Sequence, residues 1–262
     1  MAAAVPRPCP SRTPDPLRRD GPWWAVALLA LLTTLGAGLP GIGPDDRRTR
    51  VDQHQMPWAA LARLQIPGVS RCTAFLIDPQ TAVTVAHCLY SRRVQHFVLP
   101  ESVHVLVGYD AGTYMRHAVA ASFQVAPGYD PEEGAVTRGL DLAIIRLAAP
   151  VALPGQTLGL ALDAAPRGTP LMLGGYGQDR AEVVLADTAC QSDGYTDGET
   201  QWPVLVHTCA GTRGTSGAPV LARDMAGVWQ VVGVQATGRV DGVGGTAVPA
   251  TAVRALLREP PR

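Results

Sequence analysis

Three residues of types that act together on carbonyl carbons stand out in this chain. They are His87 in Thr84-Val85-Ala86-His87-Cys88, Asp141 in Gly139-Leu140-Asp141-Leu142-Ala143, and Ser216 in Gly214-Thr215-Ser216-Gly217-Ala218-Pro219. A serine hydroxyl is a poor nucleophile until an imidazole takes its proton, and an imidazole does this best when a carboxylate holds it in one tautomer. His87 ends a β-leaning run and precedes Cys88, whose natural partner, Cys72, lies 16 residues back. Taken singly each residue is ordinary: a His before Cys is more often structural, an Asp after Leu commonly ends a strand, and Gly-Thr-Ser-Gly is common loop composition. Their order and contexts give them weight. His54, His96, His104, His117 and His207 lack such contexts and read as surface or core residues, and Glu132-Glu133 reads as a solvated loop tip.

The elements that must position these residues read as short strands. From Trp58 onward, β-leaning runs such as 59–66, 74–77, 82–86, 103–107 and 116–125 are separated by Pro67-Gly68, Asp78-Pro79, Gly108 and Pro127-Gly128. A break at 148–155 divides the pattern, which continues through 157–162, 170–173, 181–186, 204–208, 218–221, 228–234 and 246–248. Many short strands with Gly and Pro punctuation predict an all-β domain in two similar halves, each long enough for one small barrel. Only 249–258 carries helical periodicity, with Val253, Leu256 and Leu257 able to share a face.

The chain has 262 residues, of which 47% are hydrophobic and 17% charged, so it can bury one large core or two small ones unaided. A formal net charge of zero argues against nucleic acid as a partner. All 22 basic residues are arginine, and asparagine is absent, which removes every N-glycosylation acceptor. Arg7, Arg12, Arg18 and Arg19 precede an apolar run, Trp23 to Leu39, of about 17 residues. That is short for a membrane span of roughly 20, so residues 1–40 read as an export signal, with cleavage favoured over a retained membrane anchor. Residues 41–50, rich in Gly, Pro, Asp and Arg, read as an exposed linker or propeptide before a domain over 51–262, split at about 150. Cys9 falls in the signal. Export to an oxidising compartment makes Cys72–Cys88 and Cys190–Cys209 the economical pairing of the other four cysteines. No close Cys/His pairs show zinc-like spacing, so no metal is expected.

From residue 51 to 262 the chain resembles the chymotrypsin and trypsin superfamily of serine proteases. The resemblance rests on the Cys72-to-Cys88 spacing, on the segment from Ala126-Pro127-Gly128-Tyr129-Asp130 to Leu147, on Gly174-Gly175-Tyr176-Gly177, on the serine motif and on the terminal helix. It implies two six-stranded Greek-key antiparallel β-barrels with a C-terminal helix, and a secreted serine endopeptidase working without cofactor or metal. Protein or peptide substrates and a monomeric state are expected, with membrane association only through an uncleaved N-terminal segment. In the catalytic set so implied, Ser216 is the nucleophile, His87 the general base and Asp141 its orienting carboxylate. The backbone N–H groups of Gly214 and Ser216 form the oxyanion hole.

The chain departs from trypsin-like digestive enzymes at Thr215. Those enzymes carry there an aspartate that receives the new N-terminal ammonium after activation cleavage. A hydroxyl cannot make that ion pair. Arg47-Arg48-Thr49-Arg50 before Val51 still resembles a propeptide junction, and the serine motif is closer to bacterial secreted members, including glutamyl endopeptidases. The specificity pocket maps to Ala210, Gly211, Arg213, Gln235, Thr237 and Gly238. It has no acid at its base, and Gln235 stands where glutamyl endopeptidases carry a histidine. This predicts a neutral pocket for a small or medium uncharged side chain, with Arg213 or Arg239 able to attract an acidic one. Two readings compete: a catalytically inactive binding protein on the same scaffold, and an esterase, which the absence of a Gly-x-Ser-x-Gly elbow disfavours.

Overall fold

In the computed structural model, residues 39–196, 201–240 and 242–260 are described; the expected export segment, apart from Leu39 and Pro40, lies outside them. Among the described residues, no helix is long and apolar enough to cross a membrane.

The first barrel is built from Leu61–Ile66, Ser70–Asp78, Thr81–Thr84, His104–Val107, Arg116–Val125 and Ala143–Leu147. Its strands close into a ring, in which the first pairs with the second and fourth, the third with the sixth, and the fifth with the fourth and sixth. Leu61, Leu64, Phe75, Leu76, Ile145 and Leu147, on both faces of these strands, are almost wholly buried. Within Ala143–Leu147 only Arg146 reaches solvent, the near-continuous apolar run of a strand covered on both sides.

The second barrel uses Pro170–Gly175, Leu185–Tyr195, Leu205–His207, Pro219–Arg223, Trp229–Gly238 and Gly245–Pro249. Its pairing scheme repeats that of the first barrel strand for strand, and it also closes. All pairings within both barrels are antiparallel, and full closure leaves neither with an edge to protect. The helix Ala250–Leu256 follows directly and buries Val253 and Leu256. Both expected disulfides are formed, Cys72–Cys88 and Cys190–Cys209, spanning 16 and 19 residues. Each is worth about 3 kcal/mol in the chain-entropy picture.

Two expectations need correction. The strand expected at 181–186 starts at Leu185 and runs to Tyr195. Its polar residues Asp187 and Ser192 suppress the strand pattern in the sequence, yet both are fully buried because distant groups satisfy them. Asp187 accepts hydrogen bonds from Arg47 at 2.8 Å, Ala210 N–H at 2.9 Å and Ala189 N–H at 3.1 Å. The second correction concerns residues 41–50, which are largely exposed as expected but are docked on the second barrel rather than free of it. Thr49–Arg50 forms a strand against Leu185–Ala186 of the second barrel, and Gly41, Ile42 and Arg48 are buried. The charged composition that reads as a solvated linker is instead spent on ion pairs, Arg47 with Asp187 and Arg48 with Asp46 and Asp179.

Candidate active site

The strand Thr81–Thr84 delivers the chain into a short 3₁₀ turn, Ala86–Leu89, which carries His87. Cys88 in the same turn is tied to Cys72 on the neighbouring strand, so the imidazole sits on a cross-linked base. Asp141 caps a second 3₁₀ turn, Arg138–Leu140, immediately before Ala143–Leu147. That strand pairs with Thr81–Thr84, and this register brings the two turns together. Asp141 holds His87 at two points: Oδ1 accepts the His87 backbone N–H at 2.9 Å and Oδ2 lies 2.6 Å from Nδ1. A carboxylate so placed makes Nδ1 the protonated nitrogen of the neutral ring and leaves Nε2 as the acceptor. The aspartate is buried while the His87 side chain remains about one-third exposed, so the ring is oriented from behind and open to solvent in front. Tyr129 also hydrogen-bonds Asp141; burial, then the neighbouring carboxylate charge, push its phenol above the ordinary range, and it stays a donor.

Ser216 lies on the loop between Leu205–His207 and Pro219–Arg223, and the first barrel grips this loop through Thr73. The Thr73 backbone N–H donates to Ser216 O at 2.9 Å, and its hydroxyl donates to Gly214 O at 2.9 Å. The same oxygen accepts the Tyr176 N–H at 3.0 Å. One buried side chain therefore joins the serine loop, the Gly-aromatic-Gly turn and the strand Ser70–Asp78 that carries Cys72. Nothing in the sequence marks Thr73 for this task. Tyr176 anchors that turn to the segment entering the first barrel, its hydroxyl donating to Gln53 at 2.6 Å and lying 3.0 Å from Tyr109 O.

The expected oxyanion residue Gly214 has φ +90°, and a Cβ there would lie 2.4 Å from Tyr176 O and 3.1 Å from Gln178 N. Glycine is required both by its conformation and by that close approach. The carbonyl preceding it, Arg213 O, accepts the Gln178 N–H at 2.5 Å. A trans peptide points its C=O and N–H in opposite directions, so this bond turns the Gly214 N–H away from the 176–178 turn. Thr215 is buried, with its methyl packed on Gly175 and Gly211.

The expected pocket residues separate into two groups. Gly211 and Gly238 face each other closely: a Cβ on Gly238 would lie 3.1 Å from Gly211 O and 3.4 Å from the Cα of Gly41. Gly41 comes from the segment read as linker, and its carbonyl accepts N–H bonds from Gly211 at 3.0 Å and Gly244 at 3.3 Å. The walls are thus drawn in on a third strand of backbone that the sequence did not reveal. Gln235 is buried, with Oε1 2.6 Å from His207 Nε2 and Nε2 donating to Thr237 O at 3.2 Å. His207 Nδ1 accepts the Cys209 N–H at 3.2 Å, so its proton sits on Nε2 and is donated to Gln235. Burial pushes the His207 pKa down to about 4, against a smaller raising by Gln235, so at neutral pH the His207–Gln235 pair carries no charge. Ala210 is buried on Asp187, whereas the side chains of Arg213 and Thr237 are exposed. A groove of about 610 Å³ runs from Gly214 past Arg213, Gln178 and Tyr176 to Arg63 and Arg71 of the first barrel.

Among the described residues, Cys72, His87 and Cys88 bring three ligand-type atoms within 4.8 Å of one another. Both sulfurs belong to the disulfide and offer no thiolate to a metal.

The profile of the trypsin family matches residues 47–257. The solved structure of a Glu endopeptidase in complex with MPD superposes with a TM-score of 0.65 at 24% sequence identity, covering 81% of this chain and 96% of the other. At that identity the likeness is one of fold.

Proposed function

From the premise that the chain belongs to the trypsin family and is a serine-type endopeptidase acting on proteins or peptides, we propose that His87, Asp141 and Ser216 carry its chemistry and that it acts after export. Ser216 Oγ attacks the scissile carbonyl as its proton passes to His87 Nε2, and Asp141 steadies the imidazolium that results. Negative charge gathers on the carbonyl oxygen, which the N–H groups of Gly214 and Ser216 receive. One such donor is typically worth about 3 kcal/mol of barrier. Collapse of the tetrahedral species breaks the C–N bond, and the proton on His87 goes to the leaving amine. Water then repeats the sequence on the acyl-enzyme and frees Ser216.

The observation that carries this reading is the two-point hold of Asp141 on His87, which is the arrangement a proton-accepting imidazole needs. Export is supported by the two disulfides, since such bonds persist in oxidising compartments. The approach of Gly211, Gly238 and Gly41 and the uncharged His207–Gln235 pair favour substrates with a small uncharged side chain before the scissile bond.

A fluorescent phosphonate that reacts with activated serines tests the assignment on the purified full-length chain. Labelling that disappears in Ser216→Ala and falls sharply in His87→Ala supports it. Folded wild-type protein that stays unlabelled and leaves a peptide library uncut overturns it in favour of a binding protein on a protease scaffold.

A further inference from the structure

We infer that Arg48 is a built-in brace for the oxyanion hole: its guanidinium supplies, from within the uncut chain, the buried cation that trypsin-like enzymes obtain from a newly cut N-terminus. The inference rests on the proposed role of Gly214 and extends it to the group that holds Gly214 in place.

The Arg48 side chain is only 2% exposed, an unusual position for an arginine unless fully paired. Its Nε and Nη2 donate to the two oxygens of Asp46 at 2.9 and 3.0 Å, and its Nη1 and Nη2 donate to those of Asp179 at 3.2 and 2.6 Å. This is a bidentate contact on each side, a geometry that guanidinium can make and ammonium cannot. Burial alone would lower the Arg48 pKa, but the two carboxylates reverse the sign and the group stays charged.

Asp179 belongs to the 3₁₀ turn Gln178–Arg180, the turn on which the oxyanion glycine rests. Gln178 N–H holds Arg213 O, and that single bond fixes the plane of the 213–214 peptide and hence the direction of the Gly214 N–H. Gly177 shows how tightly the parts meet. A Cβ there would lie 2.7 Å from Asp179 Oδ1, 2.9 Å from Arg48 Nη1 and 3.3 Å from the Thr212 methyl. The route from cation to oxyanion donor therefore has no slack: Arg48 to Asp179, Gln178 N–H to Arg213 O, then the Gly214 N–H.

Thr215 fits the same account. With its methyl packed on Gly175 and Gly211, the residue before the serine is used for packing, and the ionic contact has moved to the turn beside it. One consequence follows for processing. A cut after Arg50 would leave the segment that carries Arg48 attached only through its strand pairing and ion pairs, so the brace gives no reason to expect a gain in activity from that cut.

Arg48 is a positioning residue, and its test must move catalysis apart from stability. The full-length protein, Arg48→Gln, Arg48→Lys and Asp179→Asn are compared below their unfolding temperatures, with rates expressed per site titrated by the phosphonate. Loss of one oxyanion donor costs about 10²–10³ in kcat, so Arg48→Gln is expected to lose about 10²-fold in kcat with KM changed less than about threefold. Affinity for a peptide aldehyde, which forms the tetrahedral oxyanion, should fall in parallel with kcat. Arg48→Lys, which keeps the charge but loses one of the two forks, is expected to lie between wild type and Arg48→Gln. Asp179→Asn should follow Arg48→Gln in direction. Variants that are less stable yet keep wild-type kcat and aldehyde affinity per titrated site would overturn the inference. A wild type that is neither labelled nor active would instead remove the catalytic reading on which it rests.

Discussion

Replacing Thr73 with valine removes one hydroxyl from a side chain of nearly the same shape, so the change tests hydrogen bonding with little disturbance of packing. Two partners lose their bond: the Tyr176 N–H, on a residue only 3% exposed, and the Gly214 carbonyl, on a half-buried residue. A buried donor left without an acceptor costs roughly 1–3 kcal/mol, and the more accessible carbonyl can turn to water at about 0.5–1 kcal/mol, giving about 1.5–4 kcal/mol in all. For a domain of this size that corresponds to a fall in Tm of roughly 5–15 °C. Because the hydroxyl also joins the serine loop to the Tyr176 turn, kcat per titrated site should fall by about tenfold or more. Thr73→Ser keeps the hydroxyl and is expected to cost about 1 kcal/mol, the value of one buried methyl group. Urea unfolding of the three proteins measures the difference directly. A Thr73→Val protein within about 0.5 kcal/mol of wild type, or no more affected than Thr73→Ser, would refute the assignment of Thr73 as the tether between the barrels.

Asp141→Asn should lower kcat by about 10⁴, because an amide can present its N–H to His87 and favour the wrong tautomer; stopped assays with a chromogenic peptide ester at pH 7 would read this. The buried His207 gives a pH dependence whose sign is fixed by its lowered pKa. Between about 6.5 and about 4 the unfolded chain takes up a proton that the folded one refuses. Stability from this group is therefore complete above about pH 6.5 and declines as pH falls through that window, by up to about 3 kcal/mol. The stability advantage of wild type over His207→Asn in urea should accordingly be smaller at pH 4.5 than at pH 7.5; an unchanged difference contradicts it. Library profiling should show cleavage after small uncharged residues, with Gly238→Val lowering activity even on these, since the added side chain would meet Gly211 and Gly41. In the same library, acidic residues near the scissile bond should be favoured through Arg71 and Arg213, and Arg71→Glu should reduce that preference.

The parts of this molecule that were legible in its sequence depend on short-range pattern. Strand runs bounded by Gly and Pro announce two barrels, and a cysteine spacing of 16 residues announces a bridge beside His87, because each signal lies within one or two adjacent elements. What the sequence hid depends on partners outside the local element, in several cases more than a hundred residues away. Thr73 reads as an unremarkable strand residue until Tyr176 and Gly214, 103 and 141 positions along, are brought to its hydroxyl. Residues 41–50 read as solvated for the same reason. A run of Gly, Pro, Asp and Arg has no apolar face to bury, and it is docked instead through Arg48 and Arg47, whose partners Asp179 and Asp187 lie 131 and 140 positions away. The strand ending at Tyr195 was read too early because Asp187 and Ser192 look like surface residues, although one satisfies Arg47 and Ala210 and the other the Ala165 carbonyl. Each miss is a polar group whose partner lies outside its own element, and each lies in the scaffold behind the proposed catalytic side chains. The chemistry of a nucleophile and its base is written in residue types, whereas the rigidity that aims them depends on contacts that composition and periodicity do not register.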